Sequence, residues 1–364
     1  MKKIFSFLLL LIPIINWGQK VGDSISFNTI YNSKYNGTII KIETDGYFFK
    51  TPNDRTIFLN KRDDIIEKGN KIAKSVSLKK VNIVYVESAT NRIALVDFFC
   101  LFFLRLRSKK VIVFIRDVYI EMFPEQYSSP RAKITLIVNK LSNFYLTLIS
   151  TNFVFPTIEM GDMLFKNNSF YIKKPYQALP PATYNITENK QNPDFSKKTG
   201  ILYLGSTKYQ NSGFNTFLDF EKKYQEQYNF YVLSGDSHLN DLTKETTIKV
   251  SKIPRDTIPA YIKENNIAYA FHTRPRNSYD DLTFPIKAFD FLSFQLPFIS
   301  EKHIPLEKLL SNQYQLFASM NNLELIHEKI QRIDDNEYSL LVDFLKEIAI
   351  NNTYQKRYDQ ILEI

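Results

Sequence analysis

The 364-residue sequence has only one cysteine and four histidines, which is too few for several kinds of site. Cys100 lies inside the apolar run at residues 95–104, so no intramolecular disulfide can form and we expect a buried core thiol. The histidines show no HExxH or other close metal-ligand spacing; they are His238, His272, His303 and His327. A multi-cysteine metal site is excluded, and we predict no tightly bound metal.

Signatures of nucleic-acid binding are also lacking, since there is no zinc-finger spacing, no RRM-like aromatic motif and no basic block comparable to a binding arm. The formal net charge is nevertheless +9, with 47 lysines and arginines against 38 acidic residues. Such a balance favours anionic partners. Once nucleic acid is set aside, a nucleoside diphosphate and an anionic membrane surface remain as the predicted partners.

The chain is long enough for two domains, each with its own core. Residues 1–19 contain two lysines and an apolar run of about a dozen residues, which is too short to span a bilayer and has no A-x-A pattern before Gln19. This segment is either the first buried strand of a parallel sheet or a secretory signal peptide. Alternating stretches broken by turn residues over 20–65 predict strands and hairpins.

From Arg62 onward, helical and strand patterns alternate along the chain. In the first half they predict helices at about 62–76 and 91–107 and strands at 81–86 and 110–115. A proline-containing polar segment then precedes a second alternating set, with strands at 200–204, 230–233, 267–271 and 297–299 and helices at 213–227, 257–264 and 285–293. The predicted class is α/β with two doubly wound, Rossmann-like domains, whose ligands should lie at the carboxyl ends of the strands. The predicted limits are an N-terminal domain at 1–180, a linker at 181–198, a C-terminal domain at 199–335 and C-terminal helices at 336–364.

Residues 279–300 carry the most specific pattern, YDDLTFPIKAFDFLSFQLPFIS. A loop enters a helix through Pro-x-Lys at Lys287, Asp290 follows three residues later, and Pro-x-Ile-Ser closes the segment. This pattern resembles the donor-binding segment of glycosyltransferase family four and related GT-B enzymes. The resemblance implies the GT-B fold, in which the two Rossmann-like domains face each other across a cleft. It also implies a nucleotide diphosphate sugar as co-substrate and no further cofactor, with Asp290 accepting hydrogen bonds from the ribose hydroxyls. The family often has a glutamate eight residues earlier, where this sequence has Leu282.

The chemistry of the segment agrees with that resemblance, because a helix N-terminus favours phosphate and a carboxylate one turn later can accept bonds from a diol. A solvated helix face with an ion pair between Lys287 and Asp290 is the alternative.

Further donor-binding candidates follow the other strands of the C-terminal half. Gly205 and Lys208 lie in a glycine loop that is similar to the one that opens the nucleotide-sugar domain of these enzymes, although a plain strand-to-helix turn also explains it. Arg274 and Arg276 follow the strand at 267–271, and arginine forks suit diphosphates. They can also be incidental arginines of a surface loop. His272, between strand and loop, contacts the sugar or caps the strand end.

In the N-terminal half, two apolar strands run into polar residues at Glu87 and at the pair Arg116 and Asp117. These strands are similar to the acceptor-side strands of bacterial polysaccharide glycosyltransferases, which implies catalytic candidates at their ends. Asp117 is the first candidate for a general base or acceptor-orienting group, and Glu87 the second. The alternative is that Arg116 and Asp117 form an ion pair that only stiffens the loop.

The resemblance implies sugar transfer to a glycan or lipid-linked acceptor in surface polysaccharide synthesis, in the cytoplasm. The apolar stretch 93–104, followed by four cations, predicts either a core helix or peripheral contact with the inner membrane. Two alternatives remain for the function. One is a nucleotide-sugar epimerase on the same architecture, and the other is a secreted carbohydrate-binding protein, which a signal peptide would require.

Overall fold

The computed structural model describes residues 24–28, 34–42, 46–50, 56–60, 81–88, 93 and 95–364, apart from 167, 185, 188–191 and 209–210. The chain divides into two compact units, residues 1–80 and 81–364. This division falls inside the predicted first domain, so the predicted domain limits stay a prediction. The residue 1–19 alternatives and the predicted helix at about 62–76 lie outside the described residues.

In the first unit, four strands form an antiparallel sheet in the order in which they occur in the chain: β1 (Ser24–Asn28), β2 (Lys34–Ile42), β3 (Gly46–Lys50) and β4 (Thr56–Asn60). The turn-rich alternating pattern of this region predicted strands and hairpins, and the described residues confirm it.

The second unit begins with a parallel sheet of four strands in chain order: β5 (Val81–Ser88), β6 (Ser108–Ile115), β7 (Asn152–Phe155) and β8 (Tyr176–Ala178). The helices between them are α1 (Leu95–Arg107), α2 (Tyr119–Met122), α3 (Pro130–Ile149) and α4 (Ile158–Phe165), with a 3-10 turn at Pro124–Gln126. The second half of β6 is buried, as expected for a strand covered on both faces. Cys100 is buried, which confirms the predicted core thiol.

A second parallel sheet contains β9 (Gly200–Leu204), β10 (Asn229–Leu233), β11 (Lys249–Ser251), β12 (Ile267–His272) and β13 (Phe298–Ser300). Its helices are α5 (Phe214–Tyr224), α6 (Leu239–Leu242), α7 (Ile258–Glu264), α8 (Ile286–Ser293) and α9 (Ile304–Leu310), with a 3-10 turn at Arg255–Thr257. The spatial order is β11-β10-β9-β12-β13, so the winding reverses between β9 and β12. Ligands of doubly wound sheets bind at such a reversal, which is called the switch point.

Three helices complete the chain: α10 (Leu323–Gln331), α11 (Asp335–Asn351) and α12 (Tyr354–Glu363). From α11, Tyr338 donates a hydrogen bond to the Ala268 carbonyl of β12 at 2.8 Å. From α12, Arg357 donates to the Pro180 carbonyl at 2.7 Å and Ile361 packs on the first parallel sheet. The end of the chain thus ties the two parallel-sheet domains together.

Candidate functional site

The glycine loop after β9 and the start of α8 meet at the switch point. Gly205 has φ +102°, and a Cβ there would lie 2.7 Å from the Lys287 Cε atom. Only a residue without a side chain lets the lysine cross the strand end in this way. The Lys287 Nζ atom lies 4.4 Å from the centroid of the Tyr203 ring. The structure therefore brings together two residues that the sequence predicted separately, Gly205 and Lys287.

Lys287 is partly buried, and this changes its proton affinity. Burial, with a further contribution from the positive charge of Arg274, lowers the pKa of Lys287 to about 8, although Asp290 and Asp236 oppose the shift. A partly buried amine whose neighbouring carboxylates do not offset this shift favours an anion that would restore its ordinary pKa. Lys287 is therefore well suited to bind a negatively charged ligand.

A second glycine locks the neighbouring loop in place. Gly213 precedes α5 with φ +69°, and a Cβ there would lie 1.9 Å from the Thr273 carbonyl oxygen. The Thr273 hydroxyl donates to the Ser212 carbonyl at 2.9 Å. The loops that leave β9 and β12 are thereby held in direct contact at the switch point.

Asp236, in the loop after β10, organises the glycine loop and was missed by the sequence reasoning. Its carboxylate accepts hydrogen bonds from the Ser206 hydroxyl at 2.8 Å and the Thr207 backbone N–H at 2.7 Å. Burial acts to raise the pKa of Asp236, but these bonds outweigh it and hold the pKa below its usual value. Lys208 is largely exposed, with its Nζ atom 3.9 Å from Asp236. The only available signal was the position of Asp236 directly after an apolar strand.

Asp290 forms an ion pair with Arg255, which lies in the 3-10 turn after β11. The Arg255 guanidinium also lies 5.1 Å from the centroid of the Tyr184 ring. Burial raises the pKa of Asp290, and the charge of Arg255 opposes this shift. The predicted ribose-binding carboxylate is thus occupied by an arginine that no sequence pattern had marked.

The two predicted diphosphate arginines are each held by a neighbouring carboxylate. Arg274 donates to Asp280 at 2.7 Å, and Arg276 donates to Asp281 from Nε to both carboxylate oxygens at 3.1 Å and from Nη2 at 3.0 Å. Asp280 is buried, and that burial raises its pKa despite the arginine. Both arginines are partly exposed. Each of these ion pairs fixes the orientation of its arginine guanidinium group.

His272 belongs to the sheet interior rather than to an open surface. It is buried, and its Nδ1 atom lies 3.0 Å from the Ser300 hydroxyl of β13. Burial, together with the neighbouring His303, pushes the pKa of His272 well below its ordinary value. The imidazole is therefore neutral at pH 7, and the structure places it at the strand end in contact with β13.

The β12–α8 loop reaches the strand ends of the first parallel sheet. Tyr279 from this loop lies 5.9 Å from Tyr119, ring centroid to centroid, and Thr157 donates to the Leu282 carbonyl at 2.6 Å. Burial raises the pKa of Tyr279, and the nearby charge of Asp117 adds to the shift. Asp117, the first catalytic candidate, therefore lies where the two domains meet.

Glu87, the second catalytic candidate, lies in a different environment. Its side chain is 68% exposed, it accepts a hydrogen bond from Tyr85 at 3.3 Å, and its carboxylate is 3.8 Å from Arg357 of α12. These contacts join β5 to the last helix. A catalytic role for Glu87 stays a prediction.

A cavity of about 590 Å³ lies between the predicted linker segment and α12. Its lining residues are Thr183, Tyr184, Ile186, Thr353, Tyr354 and Gln355. None of the predicted donor-binding residues lines it. The switch point, with its glycine loop and partly buried lysine, has the better chemistry for an anionic ligand.

Comparison with known proteins adds the fold relationship. No protein-family model and no curated protein sequence matches the chain. Among solved structures, it is similar to Anabaena HepE in complex with UDP and glucose, with a TM-score of 0.56, 10% identity, and coverage of 81% of this chain and 80% of that one. It is also similar to pneumococcal O-GlcNAc transferase GtfA in complex with UDP and GlcNAc, with a TM-score of 0.55, 11% identity, and coverage of 93% and 65%.

A third similar structure is TarM, with a TM-score of 0.52, 10% identity, and coverage of 93% of this chain and 66% of that one. The chain thus spans slightly less than two thirds of the lengths of GtfA and TarM. At these identities the likeness concerns the fold, and the fold is the predicted one: α/β, with two Rossmann-like domains arranged as in GT-B glycosyltransferases.

Proposed function

We propose that this chain is a glycosyltransferase that moves a sugar from a nucleotide diphosphate sugar to a glycan or lipid-linked acceptor. The observation that carries the proposal is the convergence of Gly205, Lys287 and Asp290 at the switch point of the second parallel sheet. These three residues match the successive groups of a nucleoside diphosphate. Gly205 permits close approach of the diphosphate, Lys287 offers a positive charge to it, and Asp290, one turn further along the helix, can bind the ribose.

The donor would lie along this row of groups. Its diphosphate would lie against Gly205 and Lys287, with Arg274, Arg276 and Lys208 around it, and its ribose would lie at Asp290. Because Arg255 already pairs with Asp290, the ribose hydroxyls have to replace or share that contact. HepE and GtfA are both in complex with UDP, which supports a uridine nucleotide as the first ligand to test.

Catalysis would rest mainly on stabilising the leaving group. As the bond between the sugar carbon and the diphosphate oxygen breaks, negative charge grows on the diphosphate. The surrounding cations therefore bind the diphosphate more tightly in the transition state than in the ground state. The acceptor hydroxyl forms the new bond to that carbon and gives its proton to a base, for which Asp117 is the first candidate and Glu87 the second. We propose that neither a metal nor a further cofactor is required.

The wider setting is part of the same proposal. We propose that the reaction takes place in the cytoplasm, because nucleotide sugars are supplied in that compartment. We further propose that it occurs at the inner membrane and serves the synthesis of a surface polysaccharide. A direct test is to incubate the protein with UDP-sugars and an acceptor mixture and to measure UDP release and a glycosylated product. If the protein only converts the sugar of the donor to its epimer, and does so without an acceptor, it is an epimerase. If no nucleotide sugar is turned over, both the glycosyltransferase and the epimerase are contradicted.

Single substitutions of Asp290 and Arg255 should have different effects on nucleotide affinity. Asp290→Ala should weaken UDP binding by about 1–3 kcal/mol, because a charged acceptor of ribose bonds is lost. Arg255→Ala removes a competitor of the ribose and should leave the affinity equal or tighter. Calorimetric titration with UDP measures both. If the pair has only a structural role, both variants will lower the thermal midpoint and neither will change the affinity.

Arg274→Ala should lower kcat more than it raises the donor KM, since the charge that Arg274 contacts grows in the transition state. We expect a fall of roughly 100- to 1000-fold in kcat, the range found when one preorganised transition-state donor is removed. Steady-state kinetics of UDP release measures this split, with Arg276→Ala as the comparison. Unchanged turnover in Arg274→Ala would move the phosphate role to Arg276 or Lys208.

A further inference from the structure

The first parallel-sheet domain exposes an apolar stripe on α3 that the sequence analysis did not single out. Ile134, Ile137, Val138 and Leu141 recur at the i, i+3, i+4, i+7 spacing of one helix face, and all four are exposed, Ile134 by 63%. A helix of a soluble domain normally turns such a stripe to the core. Here α3 turns it away from the core.

A second exposed stripe on α1 continues the first. Phe98, Phe102 and Leu106 are exposed at intervals of one turn, Leu106 by 65%. The stripes join where Phe98 stacks on Tyr145 of α3 at 3.8 Å between ring centroids, and where the Tyr145 hydroxyl donates to the Phe98 carbonyl. Exposed apolar residues scattered singly need no explanation, but seven of them on two helices that contact each other mark a binding surface. We call these seven residues the two-helix face.

The charges on the same two helices are almost all positive. Between them, α1 and α3 carry five cations, Arg105, Arg107, Arg131, Lys133 and Lys140, and one carboxylate, Asp97. Arg105 and Arg107 flank Leu106, and Arg131 and Lys133 precede Ile134. An apolar face bordered by arginine and lysine is complementary to an anionic lipid surface, where the apolar side chains enter the acyl boundary and the cations reach the headgroups.

No helix among the described residues is both long and apolar enough to cross a membrane. We infer that the two-helix face is a docking surface for an anionic lipid bilayer.

The position of the face suits a lipid-linked acceptor. The first described residues of the α1 region contact α3 at its second half, where Ile93 donates to the Ser142 hydroxyl. Two residues after Leu141, Asn143 of α3 donates to the Glu121 carboxylate of α2 at 3.4 Å, and α2 follows Asp117 in the chain. The stripe on α3 therefore ends next to residues that contact the loop region of Asp117. This link to the acceptor rests on the proposed function, whereas the docking surface itself rests on geometry and charge alone.

Vesicle flotation of the full-length chain tests the inference. We expect the protein to float with vesicles that contain about a third phosphatidylglycerol, less with pure phosphatidylcholine, and less at 0.5 M salt, which screens the cations. The double variant Ile137→Glu with Leu141→Glu should lower the partition coefficient by roughly 100-fold or more, because two inserted apolar side chains are lost.

The chain offers a matched control on α11, where Leu340 and Phe344 have the same i, i+4 spacing and are also exposed. Leu340→Glu with Phe344→Glu should float like the unmodified protein. If the α3 variant fails to fold, Leu106→Glu on α1 makes the same test. UDP affinity, measured separately, shows whether each variant keeps its donor site.

Two outcomes would overturn the inference: no flotation of the unmodified protein, or equal flotation of the α3 and α11 variants. If the protein does not float but self-associates, and the α3 variant abolishes that self-association, the face is a contact between copies of this chain. Loss of UDP binding in the unmodified protein would instead contradict the proposed function and leave the flotation result standing.

Discussion

Lys287→Met should weaken the binding of a nucleoside diphosphate by about 100-fold at pH 7, close to the upper range for a hydrogen bond to a charged group. The amine is partly buried beside Gly205, and its hydrogen bond goes to the neutral Tyr203 hydroxyl at 3.4 Å. Lys208→Met is the control, because that lysine is largely exposed, and it should lose only a few-fold in affinity. Calorimetric titration measures both constants.

The pH dependence of the same binding reaction provides an independent signature of Lys287. Since its pKa in the free protein is lowered to about 8, the amine is protonated below that pH and loses its charge above it. Affinity for the diphosphate should therefore be level below about pH 8 and fall by up to tenfold per unit above it, and Lys287→Met should lack this step. The same fall in the methionine variant would show that another group titrates.

Stability should move in the opposite direction, which separates lost binding from lost folding. The folded-state pKa of Lys287 lies below its usual 10.5, so the folded protein binds fewer protons than the unfolded chain between about pH 8 and 10.5. The free energy of unfolding of the unmodified protein should rise with pH across that window. At pH 7 the partly buried charge is unfavourable, so Lys287→Met should keep or raise the thermal midpoint.

Gly213→Ala should lower the free energy of unfolding by about 2–5 kcal/mol, since it combines the cost of a left-handed backbone with a severe contact. The added Cβ would lie 1.9 Å from the Thr273 carbonyl oxygen, so the loops after β9 and β12 would have to separate. Nucleotide affinity should fall with stability because both loops border the proposed diphosphate site. Denaturant unfolding followed by circular dichroism measures the change.

A neighbouring glycine serves as the matched control for this substitution. At Gly235 an added Cβ would have only the Lys252 side chain nearby, at 3.8 Å, so Gly235→Ala should change stability by no more than about 0.5 kcal/mol. Equal effects of the two alanines would contradict the close approach of the two loops.

Six of the nine described strands of the parallel sheets could be predicted from the sequence, because each of the six is a short apolar run bounded by polar or turn residues. β7, β8 and β11 were not predicted, and β8 and β11 are three-residue strands that include polar residues. The run at 200–204 is a strand with those limits, and the run at 267–271 is extended only by His272. The loop glycine and the helix-start lysine were recognisable for the same local reason. Their mutual contact was not, because it joins positions that are far apart in the chain.

Two features of the site depend on such distant contacts. Arg255 reaches Asp290 from another element, and Asp236 binds the glycine loop from the next strand, so no local pattern marks either. The stripe on α3 shows a related limit. A helical period identifies an apolar face, but it does not say whether a neighbouring element covers that face, and Ile134 is exposed.

Calorimetric titration of the 364-residue protein with UDP, GDP and ADP at pH 7 is the most direct test of a donor site at the switch point. We expect saturable 1:1 binding of at least one of the three nucleotides, which Asp290→Ala and Lys287→Met each weaken and Leu340→Glu leaves unchanged. Absence of saturable binding of all three nucleotides to a folded protein, or binding that neither site variant changes, would contradict a donor site at this switch point.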